Sequence, residues 1–410
     1  MPLELIVISL MRTSKWINVL MMNSPEDDST GQRRIVVTSN GIRWIEQDFE
    51  QFTPLGKFFE INTNPEEGLT VDKETDSETA MKISLLSIND EALEKHTVNV
   101  VIEGVHLQLN ESMACGLQCS NCYKDLVDMR RFNCIRPMPI YTLKPTKYFC
   151  SNDQMHSTIC EGDLYYALNY IVISPMILGK RVIRNREHLH CSRCLQLVGE
   201  SLGEQMAVQL FVDTLFVSSR SQHEVGRLEH LFDQLTVSQL MLHLLHDAVP
   251  ISEEKTRLFL KTVRSDGQLH YMLLLVDTSQ LHLLRSKLSL SEHLNSTNGR
   301  RRSPKSYNEL EPEPKRQRLS DIKPVHEVEV RGFRGCRISY HIFSSDEQLA
   351  ANDELIEQWH KDGTPMLRIS YAMMMDLHRE LKINETLVAK MERSTPDVKE
   401  GRTSYIIYHN

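Results

Sequence analysis

Apolar and polar residues alternate with a period of two over Val105, Leu107 and Leu109, after the turn signal Glu103-Gly104, so residues 98–109 are expected to form a half-buried hairpin. Further strand-like runs lie at residues 3–10, 35–38 and 42–45, and together these make a small β unit. The stretch 62–78 is dense in Asn, Glu, Asp and Thr and reads as a loop. Residues 208–218 read as a strand. Beyond it Leu228, Leu231, Leu235, Leu242 and Leu245 follow near-helical spacing behind Glu229 and Asp233, which predicts one long amphipathic helix. The Ser265-Asp266-Gly267 turn between two apolar runs, 257–263 and 269–276, predicts a hairpin. After residue 324, strands are expected at 328–330 and 336–343. A helix at about 346–360 opens on the Ser345/Gln348 capping-box pattern, a second runs over 370–381, and a strand closes the chain at 405–408.

Between 295 and 324 apolar residues nearly vanish, and no core can be buried there. This agrees with the composition. Hydrophobic residues are 40%, about 41% once glycine replaces tyrosine in the count, against 45–50% for a fully folded chain. A length of 410 residues exceeds the roughly 250–300 that one core organises. The expectation is an α+β chain in five parts: a β-rich N-terminal unit (1–110), a zinc-stapled central region with two CxxC knuckles (111–200), an α+β unit with the amphipathic helix (201–294), a disordered basic linker (295–324), and a mixed strand-helix C-terminal unit (325–410).

A net charge of -8 gives no electrostatic support for direct nucleic-acid binding. The apolar start is interrupted by Glu4 and lacks a cationic region, so it reads as a strand and not as a secretory signal; no run approaches the about 18–20 apolar residues that span a bilayer. An intracellular protein without a membrane partner is expected. Within the linker, Arg300, Arg301 and Arg302 form one basic cluster and Lys315, Arg316 and Arg318 another, the pattern of a bipartite nuclear import address and hence of a cytoplasmic and nuclear protein. The competing reading is a solvated spacer whose charge keeps it extended.

Eight of the nine cysteines fall between Cys115 and Cys194. Cys119-Ser-Asn-Cys122 and Cys191-Ser-Arg-Cys194 are two C-x2-C turns with 68 residues between them. Each turn points two thiolates at one ion, and two turns complete a tetrahedral four-sulfur site whose natural occupant is structural Zn2+. A thioredoxin-like redox pair and unrelated buried cysteines remain as alternatives. Cys150, His156 and Cys160, beside His188 and His190, could furnish a second metal site, although lone histidines near a knuckle are more often surface groups.

Three blocks in this order carry a resemblance: the first knuckle and its continuation to Arg136-Pro-Met-Pro139, the segment Glu161-Gly-Asp-Leu-Tyr-Tyr-Ala-Leu-Asn169, and Cys191-Ser-Arg-Cys-Leu-Gln-Leu-Val-Gly-Glu200. The chain resembles the HECT-like ubiquitin ligases that bind a ubiquitin-conjugating enzyme, clearly over residues 105–290 and more loosely beyond. The resemblance implies an E3 ligase that engages a charged ubiquitin-conjugating enzyme and promotes transfer of ubiquitin to a substrate lysine. It implies partner contacts at Gly162, Asp163, Tyr165 and Tyr166, and along the predicted amphipathic helix through Leu231 and Leu235. Some members of the family are linked to the endonuclease that cleaves messenger RNA precursors at their 3′ ends, which implies as the alternative a non-catalytic stability factor for that enzyme. A HECT-type thioester needs an accessible thiolate. Cys336 is the one cysteine in the C-terminal half, with Arg331, Arg334 and Arg337 nearby and Gly332 and Gly335 permitting an open loop. An ordinary cysteine at the start of a strand is the competing reading.

Overall fold

A computed structural model describes residues 3–12, 14–23, 33–46, 49–64, 68–75, 78–97, 107–111, 113–138, 159–202, 207–219, 228–232, 255–286, 325–364, 366–392 and 401–407. These residues are β-rich with few helices. They fall into two compact units built from non-consecutive segments. One comprises Met1–Asn99, Leu281–Gly335 and Ala389–Arg393; the other comprises Val100–Gln280, Cys336–Val388 and Ser394–Asn410. Residues 325–410, expected as one unit, are therefore divided between the two.

In the first unit the strands Leu3–Met11 and Trp16–Asn23 form an antiparallel hairpin with Ile6 opposite Met21 and Ile8 opposite Val19. Trp16–Asn23 pairs in turn with Glu78–Ile88, and Leu3–Met11 pairs on its other side with residues 282–285. A smaller sheet is made by Arg33–Thr38, Gly41–Glu46, Phe49–Pro54 and, in parallel, Val325–Glu327. Alternation turns Ile6, Ile8, Ile17, Val19 and Ile83 into one core with Trp44, Phe58 and Phe59. At Gly41 a Cβ would meet the Thr53 carbonyl oxygen at 2.2 Å, so this close approach of two strands admits only glycine. The helix Asp90–His96 begins where the Asn89 side chain accepts the Ala92 N–H at 3.1 Å.

The loop expected over 62–78 is corrected in its second half. Leu69–Glu74 is a strand paired with Glu78–Ile88, and Leu69 and Val71 are 40% and 50% exposed. A ladder holds it without a buried apolar face, which is why its composition resembles a loop.

The second unit contains a seven-stranded sheet in the order Cys134–Pro137, Asp163–Tyr166, Tyr170–Ile173, Ala207–Phe211, Leu197–Leu202, His188–Cys191 and Val182–Asn185. A four-stranded sheet runs Asp125–Arg130, Cys115–Cys119, Leu215–Ser219 and Leu228–His230. The predicted Asp-Gly hairpin is present: Lys255–Val263 pairs with Leu269–Ser286 through Thr262 opposite His270, and Gly267 has a φ of 90°. The expected single helix near 346–360 is two helices, Asp346–Ala351 and Asp353–Lys361, divided at Asn352. Ser345 accepts the Gln348 N–H at 3.2 Å, and Gln348 accepts the Ser344 N–H at 2.8 Å, one residue before the position a capping box requires. The next helix, Tyr371–Glu392, runs past Leu381, and Arg402–Ile407 closes the chain as a strand.

The predicted long helix from Leu228 does not begin there. Leu228–His230 is a strand, with His230 opposite Phe216, and Phe232 makes a bridge to Leu107. Strand pairing overrides the near-helical leucine spacing at these positions. The remainder of the predicted helix, including Leu235, lies outside the described residues, as do residues 98–106 of the expected hairpin and the whole of 287–324 with its two basic clusters.

Candidate metal centre

Each knuckle grows out of a strand end. Cys119 closes the strand Cys115–Cys119 and Cys191 closes His188–Cys191, so the second cysteine of each pair falls in the turn that follows. The two turns are built alike. The Tyr123 N–H reaches the Cys119 carbonyl at 2.9 Å and the Leu195 N–H the Cys191 carbonyl at 2.9 Å, while the first cysteine donates its N–H to Lys124 or Gln196, again at 2.9 Å. To close these turns Tyr123 and Leu195 take φ values of 58° and 61°, in the left-handed region. His190 Nδ1 lies 3.1 Å from the Leu195 carbonyl and, protonated there, ties down the second turn. The Arg193 guanidinium donates to the Cys122 carbonyl at 3.3 Å and links one turn to the other.

Folding brings all four sulfurs within 4.8 Å of one another. The shortest approaches cross between the knuckles, Cys119 to Cys194 at 3.6 Å and Cys122 to Cys191 at 3.5 Å. These separations are far above a disulfide's roughly 2.05 Å. They are close to the about 3.8 Å between thiolates bound tetrahedrally at about 2.3 Å from one ion. Burial pushes the Cys119 thiol up to about 12, against the N–H groups of Cys122 and Asn121 that favour its thiolate. At Cys194 burial acts in the same direction, but the Gln196 N–H, the Asn121 side chain and the neighbouring thiols outweigh it and bring the group down to about 7. A cation that replaces these protons is what such a donor set fits. With four sulfurs and no carboxylate, the site is closed to substrate. Cys115, behind it, is pushed up by burial to about 11 and is a core thiol.

Among the described residues these four cysteines form the group able to hold a metal ion. His188 instead lies 3.9 Å from Glu200. Cys160 is exposed and outside the cluster, and Cys150 and His156 lie outside the described residues.

Comparison with protein families gives a match over residues 58–388, more than half of the chain, to the family described as HECT-like ubiquitin-conjugating enzyme (E2)-binding. The chain belongs to that family. No curated protein and no solved structure gives a match. This E2-binding family member is thereby connected with the ubiquitin pathway, and both knuckles lie inside the matched span.

The remaining sequence-derived positions are dispersed. Asp163, Tyr165 and Tyr166 occupy one strand beside Gly162, whose carbonyl accepts the Asn133 N–H at 2.7 Å; Tyr166 packs its ring 6.1 Å from Phe232. Leu231 is 1% exposed and belongs to the core. Cys336 sits at 3% exposure within the continuous strand Val330–Phe343, which agrees with the strand expected over 336–343 and not with an open glycine loop. The sequence reading passed over the left-handed residues Tyr123 and Leu195. It also passed over a buried polar group in which Glu200 pairs with Arg368, Asn169 donates to the Arg368 carbonyl at 2.8 Å, and Ser370 donates to Asp213.

Proposed function

We propose that this protein is an E3 ubiquitin-protein ligase that binds a charged ubiquitin-conjugating enzyme and promotes transfer of ubiquitin to substrate lysines. The observation that carries this reading is the family match over residues 58–388. The four cysteines Cys119, Cys122, Cys191 and Cys194 hold a structural Zn2+. The ion crosslinks two strand ends and takes no part in the transfer. The burial of Cys336 favours a mechanism in which the protein positions the conjugating enzyme and carries no ubiquitin thioester on this thiol, because a nucleophile must meet the incoming thioester.

Single-turnover discharge of ubiquitin from purified conjugating enzymes onto free lysine tests the reading. Catalytic amounts of the protein are expected to accelerate discharge at least about tenfold from one member of the panel, worth about 1.4 kcal/mol of barrier, without a reducible ubiquitin adduct on the protein. Unchanged discharge from every enzyme contradicts ligase activity. A reducible adduct abolished by Cys336→Ser contradicts the positioning mechanism.

A further inference from the structure

Left-handed backbone is cheapest for glycine and is disfavoured for side chains with a Cβ. Yet the two knuckles carry tyrosine and leucine at this position, Tyr123 with φ 58° and Leu195 with φ 61°. Burial does not account for the choice, because the two side chains are 58% and 59% exposed. Their large apolar surfaces face solvent at equivalent places on both sides of one centre. Strained, exposed apolar residues at paired positions point to a use outside the fold.

Other contacts hold the two turns in place. Tyr123 stacks on Phe216, with centroids 5.7 Å apart and planes 4° from parallel, which fixes its ring. The backbone of the second knuckle bonds to the segment before it, the Ser192 N–H to the Arg181 carbonyl at 2.9 Å, and Val182 lies opposite Cys191. That segment carries Met176 at 74% and Ile183 at 46% exposure. Consecutive Cα atoms are about 3.8 Å apart, and the four sulfurs lie within 4.8 Å. Tyr123 and Leu195, each next to a cysteine of the cluster, thus have Cα atoms at most about 18 Å apart. A standard interface covers roughly 800 Å² on each partner, a disc about 32 Å across, so one docked protein can cover both. Anchors fixed on crosslinked turns lose little freedom when they bind.

We propose that Tyr123 and Leu195 are the paired apolar anchors through which this protein docks a ubiquitin-conjugating enzyme. The inference rests on the E2-binding reading above, and the family match includes both knuckles.

The test uses the full-length protein, its Tyr123→Gly, Leu195→Gly and double variants, and a panel of purified ubiquitin-conjugating enzymes, with Kd measured by interferometry. Each single variant is expected to weaken binding at least tenfold and the double variant further. Metal content should be unchanged in both variants, and Leu195→Gly should keep or raise thermal stability, since glycine is at home in this backbone, whereas Tyr123→Gly also gives up the stacking on Phe216. Ile383→Ser, an exposed apolar position on the Tyr371–Glu392 helix, should bind as the wild type does. Unchanged Kd in the folded glycine variants overturns the docking surface and leaves E2 binding standing. Weakened binding accompanied by lost metal, or by lower stability of Leu195→Gly, also overturns it, because the residues would then be structural. Wild-type protein that binds no enzyme of the panel overturns the reading beneath, and the docking surface with it. Self-association abolished by the variants in place of E2 binding assigns the surface to a second copy of the chain.

Discussion

At the scale of single residues, backbone strain and buried polar groups mark positions that sequence patterns miss. The C-x2-C spacing was readable because both cysteines of each pair are visible in the chain. The left-handed residue that follows each pair was not, because the usual signal there is glycine and this chain has Tyr123 and Leu195. Each costs about 1–2 kcal/mol relative to a relaxed backbone. Cys336 and Leu231 show the opposite: arginines and glycines around a cysteine suggest an open loop, and leucines three apart suggest a helix stripe, but Cys336 lies inside the strand Val330–Phe343, Leu231 follows the strand Leu228–His230, and both are buried. His270 makes a testable case. It is 3% exposed, neither ring nitrogen has a hydrogen-bond partner among the described residues, and burial lowers its pKa from 6.5. A histidine whose folded pKa is depressed contributes stability that is present above its unfolded pKa and is lost as pH falls through the folded value. Wild-type protein is therefore expected to lose stability as pH drops below about 6.5. His270→Phe should make the urea midpoint less dependent on pH in that window; an identical pH dependence in wild type and variant contradicts the assignment.

At the scale of elements, periodicity located a minority of the strands, among them Leu3–Met11, Lys255–Val263 and Val330–Phe343, and the helical stretches after residue 345, while strands such as Trp16–Asn23, Glu78–Ile88 and Leu197–Leu202 were not read. Leu69–Glu74 is held by its ladder with Glu78–Ile88 and has little apolar pattern to read. The long C-terminal helix shows how a helix start is fixed. Ser370 accepts the Met373 N–H at 3.0 Å and donates to Asp213, whose pKa burial raises against this hydrogen bond and that of its own backbone N–H. One hydroxyl therefore caps the helix and satisfies a half-buried carboxylate. Ser370→Ala removes the cap, at about 1 kcal/mol, and strands a polar oxygen, at about 1–3 kcal/mol. Calorimetry should show a melting midpoint lowered by roughly 4–16 °C, taking 2–4 °C per kcal/mol for a unit of this size. A change under about 1 °C contradicts the double role. The sequence offered only a serine ahead of an apolar run; its acceptor Asp213, 157 residues away, is a product of folding.

At the scale of the whole molecule, both units are assembled from segments far apart in the chain. Length and composition ask for more than one core, but consecutive boundaries do not convey how strands return to a unit after a long excursion. The cysteine centre belongs to this scale. Its closest sulfur pairs join residues 69 and 75 positions apart. By the chain-entropy model used for disulfides, closing a loop of that length stabilises the fold by about 4 kcal/mol. An ion that crosslinks the two strand ends therefore fixes the surface on which Tyr123 and Leu195 stand. The most direct measurement is the Kd of full-length, zinc-assayed protein for purified ubiquitin-conjugating enzymes, before chelation, after it, and after zinc is restored. The predicted result is about one zinc per chain and saturable binding to at least one enzyme, lost on stripping and regained with the metal. Zinc-replete protein that binds none of them, or undiminished binding by protein stripped of metal, would contradict the account.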